Sequence, residues 1–179
     1  SNGRQPDMPD RRKPECVMVV GGDTLVAQSI AELGYGIAGI MSSGEETLQK
    51  IGQLKPDIIM LNLMLAGSMD GFETAKRIGL TTGIPVIFLA GDSEQELTEL
   101  ATSPYIWLQF PVKERELELK LELALLHHRM EEQNRITRLT LERRISEITR
   151  SLDTSNHGLQ QLRARPHRDQ PTLQRFSDA

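Results

Sequence analysis

One stretch narrows the folding options more than any other: Pro56-Asp57-Ile58-Ile59-Met60-Leu61-Asn62-Leu63-Met64-Leu65-Ala66-Gly67. Ile58 to Leu61, continued by Leu63, is apolar at successive positions, so both faces of an extended segment there are apolar. Such a strand needs cover on both sides, which is the situation of a central strand in a parallel sheet flanked by helices. One polar side chain, Asn62, stands at its C-terminal end. In open α/β sheets that end of the strands is where sites are built. A carboxylate there could attack a phosphoryl group. A carboxamide cannot, because its nitrogen lone pair is delocalised and its oxygen carries no full charge.

Four more strands and the helices between them follow from the pattern. Val17-Met18-Val19-Val20 is β-rich and ends at Gly21-Gly22-Asp23. Leu25, Val26, Ile30 and Leu33 keep helical spacing, with Gly34 at the stop. Ile37 to Met41 reads as a strand, and Ser43 with Glu45 and Glu46 opens a helix that buries Leu48, Ile51 and Leu54. After the central strand, Asp70 caps a helix of Phe72, Ala75 and Ile78, with Gly79 and Gly83 beyond it. Ile84 to Ala90 is a fourth strand, with Pro85 near its entry. Asp92 reads as the N-cap of an acidic helix from Glu94 to Ala101, and Tyr105 to Leu108 as the last strand. This alternation predicts a doubly wound five-stranded parallel sheet, an α/β domain over residues 15–125.

From Val112 to Leu152 there is neither Gly nor Pro, and good helix formers dominate. The spacing predicts one long helix over 113–152. Leu117, Leu121 and Leu125 can pack on the sheet. A second stripe runs Leu119, Leu123, Leu126, Met130, Asn134, Thr137, Leu141, Ile145, Ile148, Leu152. Its steps repeat every eleven residues, which keeps a seam nearly straight. An apolar seam of this kind predicts a partner, most simply a parallel second copy, with Asn134 fixing register. Residues 1–14 read as a flexible lead and 153–179 as a disordered tail, in which Leu159 and Leu162 could add one amphipathic turn.

Charge limits the function classes. Residues 17–112 carry four basic and eleven acidic side chains, so the globular part has no basic face for a nucleic-acid backbone. No apolar run is long enough for a membrane span, and the lead has no apolar core of a secretory signal. Cys16 is the single cysteine, which suits a reducing, cytoplasmic setting. Gly21-Gly22 lacks the full spacing of a nucleotide-binding loop. His127 and His128 are adjacent on a helix, about 100° apart, and cannot share a metal facially. Asp23 is the one carboxylate expected beside Asn62, too little for a firm hard-cation site.

Val17 to Glu132 resembles the receiver domain of bacterial and archaeal two-component response regulators. The resemblance rests on Ser42-Ser43-Gly44-Glu45-Glu46, Leu54-Lys55-Pro56-Asp57-Ile58, Leu65 to Ala75, Ile84 to Leu89, and Pro111 followed by Glu114-Arg115-Glu116-Leu117. It implies a flavodoxin-like sheet of order 2-1-3-4-5. It also implies a Mg²⁺-assisted phosphoryl transfer to an Asp. Here the acidic pair falls on Gly21 and Gly22, with Asp23 just beyond, and the phosphoacceptor on Asn62. The hydroxyl falls on Ala90, the Lys on Phe110 and the aromatic switch on Trp107. The chain is therefore expected to be a pseudo-receiver with no enzymatic activity, metal or cofactor. It would act through Asp92, Glu94, Glu96, Glu99 and Trp107 on a signalling protein such as a histidine kinase or regulator, and on its own copy. The alternatives are the degenerate receiver of an RNA-binding antiterminator, supported only by Gly158 to Arg163, Arg165 and Arg168, or a receiver retaining weak Mg²⁺ and phosphate binding.

Overall fold

Successive residues of the central run face alternate cores. Ile58 and Met60 join one cluster of buried side chains and Ile59 and Leu61 the other, as the two-residue period of a strand requires. The computed structural model describes residues 14–22 and 24–163. In chain order its elements are β1 (Cys16–Val20), α1 (Thr24–Glu32), β2 (Gly36–Met41), α2 (Gly44–Leu54), β3 (Ile58–Asn62), α3 (Gly71–Thr81), β4 (Val86–Ala90), α4 (Glu94–Ala101), β5 (Ile106–Gln109) and α5 (Glu114–Arg163). All strand pairs are parallel and the order is β2-β1-β3-β4-β5, the predicted doubly wound sheet.

Each face of the sheet has its own core. On one side α1 and the start of α5 cover Val17, Val19, Met60 and Leu89, using Ile30, Leu117 and Leu121. On the other, α2, α3 and α4 cover Met18, Leu61 and Phe88, using Ile51, Ile78 and Leu100. Phe88 is fully buried, with its ring centroid 5.2 Å from Phe72 and 4.9 Å from Tyr105, the latter edge-on. Local signals start the helices. Ser43 Oγ accepts from Glu46 N, and Asp70 Oδ1 from Glu73 N, so each cap satisfies a donor that the first turn leaves open.

The structure corrects several expected boundaries. Leu54 is 36% exposed. It is the last residue of α2 and lies over Gly39 of β2, the edge strand of the sheet. Gly79 lies inside α3, which continues to Thr81 because Thr82 N still bonds to Ile78 O. One internal Gly costs about 1 kcal/mol, less than the burial of Ile78 beside it returns. The cap position of α4 is Ser93, not Asp92, and its side chain makes no cap bond. Instead Glu96 Oε2 reaches back to accept from Gly91 N at 3.0 Å.

The helix expected to end at Leu152 runs on through Gly158 to Arg163. Once a helix is nucleated each added residue gains a bond, so a lone Gly does not stop it. The chain divides into two units, residues 1–131 and 132–179. In the first, α5 buries Leu117, Leu121, Ala124 and Leu125, as its spacing predicted. In the second, every residue from Gln133 to Arg163 is exposed. Among the described residues no helix is long and apolar enough to cross a membrane. The expected flexible lead, apart from Pro14, and the tail after Arg163 lie outside the described residues.

Candidate functional site

The C-terminal ends of the strands meet at one edge of the sheet. Val20 is in register with Leu61, Asn62 with Leu89, and Ala90 with Gln109. Phe110 N donates to Ala90 O at 3.0 Å. The register therefore brings Gly21, Asn62, Ala90 and Phe110 to one edge of the sheet. Asp23 lies outside the described residues, and so does its expected place beside Asn62.

Asn62 is half-buried, and each end of its amide makes a hydrogen bond. Its Nδ2 donates to Gly21 O at 3.1 Å, and its Oδ1 accepts from Met64 N at 3.1 Å. Gly21 is itself tied down, because its N–H donates to Met41 O at 2.8 Å. Its φ of +65° is left-handed, and a Cβ there would come within 2.3 Å of Leu65 Cδ2, so a glycine suits the position twice over. Ala90 is fully buried and Phe110 packs into the α1–α5 core. The Phe110–Pro111 bond is cis.

The chemistry open to these groups is narrow. Gly21, Gly22, Asn62, Ala90 and Phe110 offer no ionisable side chain. Magnesium asks for one or two carboxylates in an octahedral oxygen shell. The described residues here supply a single carboxamide oxygen that already accepts a hydrogen bond, which does not fit that cation. Among the described residues, no group of three or more His, Cys, Asp or Glu is disposed around a metal position.

Two contacts near the site had no local signal in the sequence. Glu45, expected only as an early helix acid, clamps the loop between β3 and α3. Its Oε1 accepts from Ser68 Oγ at 2.5 Å, Ser68 N at 3.0 Å and Met69 N at 3.2 Å. The Ser68 hydroxyl, followed by backbone N–H groups, holds this carboxyl down to about 2. Its Oε2 is buried without a protein partner, beneath Gly67, whose φ is +98° and where a Cβ would come within 2.7 Å of that oxygen. The second contact is Lys120. It donates to Trp107 O at 3.1 Å and stands 5.9 Å from the indole centroid.

The other expected sites are dispersed. Asp92, Glu94 and Glu99 are exposed around α4, while Glu96 and Trp107 are half-buried. His127 pairs loosely with exposed Glu131 at 3.6 Å. His128 borders a cavity of about 340 Å³ at the N-terminal ends of β4 and β5, with Ile84, Pro104 and Tyr105. The stripe from Leu119 to Leu152 is uncovered: Leu119, Leu123, Leu126, Met130, Leu141, Ile145, Ile148 and Leu152 are all more than half exposed.

A profile of the response regulator receiver domain matches residues 23–108. This segment is similar to a receiver domain. Over 104 residues the chain is 31% identical to the transcriptional regulatory protein AfsQ1 of Streptomyces coelicolor, covering 57% of this chain and 45% of that one. The chain thus spans less than half the length of that relative. The signal receiver domain of a modulated diguanylate cyclase from Desulfovibrio desulfuricans G20 superposes with a TM-score of 0.59 at 29% identity, covering 66% of this chain and 99% of that one. A fusion carrying the trimeric coiled coil of yeast Spc42 gives a TM-score of 0.60 at 25% identity, covering 83% of this chain and 98% of that one. The receiver-like domain here has its strand-tip residues on glycine, asparagine, alanine and phenylalanine.

Proposed function

We propose that this receiver works without phosphorylation, as a protein-interaction and dimerisation module of two-component signalling. The observation that carries the reading is Asn62. Its carboxamide is not a nucleophile, and both of its ends are already bonded to backbone. Catalysis of phosphoryl transfer is mostly positioning and charge stabilisation. Gly21, Gly22, Ala90 and Phe110 supply no charge, hydroxyl or cation for it. Partner contact runs through the acidic α4 and Trp107, toward a histidine kinase or another regulator, in the cytoplasm. Output runs through a parallel pairing of α5 along Leu119, Leu123, Leu126, Met130, Asn134, Thr137, Leu141, Ile145, Ile148 and Leu152. A buried Asn in such a seam favours two strands over three, because the pair satisfies itself.

Two measurements test this. Incubation with acetyl phosphate and Mg²⁺ leaves the intact mass unchanged; a stable phosphoryl adduct overturns the phosphorylation-independent reading. Light scattering gives twice 20.1 kDa. A mass of one chain removes the pairing, and a mass of three chains replaces it with the trimeric arrangement of the Spc42 fusion.

A further inference from the structure

We propose that Asn62 is a positioning residue. Through its amide it fastens the β1–α1 loop to the β3–α3 loop, so the mouth is held in one fixed shape. Only one orientation of the amide satisfies both neighbours. Gly21 O can only accept and Met64 N can only donate, so the side chain must donate at one end and accept at the other. Asparagine does this at neutral pH and a carboxylate does not. The far end of the β3–α3 loop has its own anchor, Glu45, which takes Ser68 and Met69. At the near end Leu63 N bonds to Leu89 O, and Asn62 takes the next amide, Met64 N, and ties it to Gly21.

The neighbours leave little room for adjustment. Gly21 is held by its N–H to Met41 O and by its left-handed backbone, and Leu65 closes over it. A carboxylate at position 62 would set one anionic oxygen against Gly21 O at about the present 3.1 Å. Two acceptors then face each other with no proton between them, which costs more than a lost bond. A neutral carboxylic acid restores the proton. The arrangement therefore gives Asn62→Asp a pH signature that loss of packing does not have. This deepens the phosphorylation-independent reading by assigning the asparagine a task of its own, and it is tested separately from that reading: a phosphoryl adduct would sink the reading and leave the fastening in place.

The experiment compares the full chain with Asn62→Asp and Asn62→Ala by urea unfolding and by amide exchange at Met64. At about pH 7.5 both variants lower the folding equilibrium constant about tenfold, as expected for unpaired half-buried backbone groups. The Met64 amide exchanges faster in Asn62→Ala by a similar factor. Below about pH 4, each compared with the parent at the same pH, the Asn62→Asp variant recovers most of its loss, because protonation of a carboxyl with a raised pKa supplies the missing donor. That recovery is complete only below the ordinary Asp value of about 3.9, and Asn62→Ala does not recover. Equal losses at both pH values in the two variants, or none in either, overturn the proposal. If Asn62→Asp does not fold at about pH 7.5, the unsubstituted chain decides: a protected Met64 amide supports the fastening and a freely exchanging one overturns it.

Discussion

Glu45 and Asn62 hold opposite ends of one loop by different chemistry, and only one of them titrates. Hydrogen bonds lower the Glu45 carboxyl from its ordinary 4.5 to about 2, the Ser68 hydroxyl contributing most. A folded pKa below the unfolded one means that the ionised form stabilises the fold. That contribution is complete above about pH 4.5 and is lost as pH falls through about 2. Glu45→Gln is therefore less stable than the parent at neutral pH, and the gap closes across that acid range; urea unfolding at a series of pH values reads it. The caps at Ser43 and Asp70 were legible in the sequence because each partner lies three residues away. The Glu45 clamp was not, because Ser68 is 23 residues distant and the contact exists only once α2 and the loop are in place. Asn62 was half legible. Its chemical type ruled out nucleophilic attack, whereas its bonds to Gly21 and Met64 depend on the register of β1 against β3.

Strands were read more accurately than helix ends, for a physical reason. A fully buried parallel strand cannot tolerate polar residues, so β3 and β4 announce themselves as apolar runs. A helix end is a contest between a local breaker and what surrounds it. Gly79 and Gly158 both lost that contest, the first to packing of α3 through Ile78 and the second to propagation of α5. The exposed stripe of α5 carries a prediction of its own. Ile145 is 63% exposed in the single chain, so Ile145→Asp leaves the isolated chain as stable as before. In the proposed pairing it buries two carboxylates face to face and dissociates the seam. Light scattering should fall to one chain mass, with unit 1 still folded.

Across the molecule, charge and burial are divided unevenly. Both hydrophobic cores lie within residues 17–125, and the apolar surface of residues 132–163 stays open to solvent. Independent stability needs a closed core, and the first unit has two. A chain ending after Glu131 should therefore unfold in a single cooperative transition in urea, and a non-cooperative transition would show that the first unit depends on the rest of α5. The sequence reading set a domain over residues 15–125 and a long helix over 113–152, the latter from the absence of Gly and Pro between Val112 and Leu152. The continuation of the helix past Leu152 was not legible, because nothing in Asp153 to Asn156 distinguishes a fraying turn from a continuing one. The sequence contains one tryptophan, and the structure seats it half-buried on β5, with the Lys120 ammonium pinned over it. The protein thus carries its one indole, which can be excited apart from the tyrosines, on the face assigned to partner contact. Docking there dries the indole and displaces a quenching cation, so emission should move to the blue and brighten, giving an optical titration that needs no label.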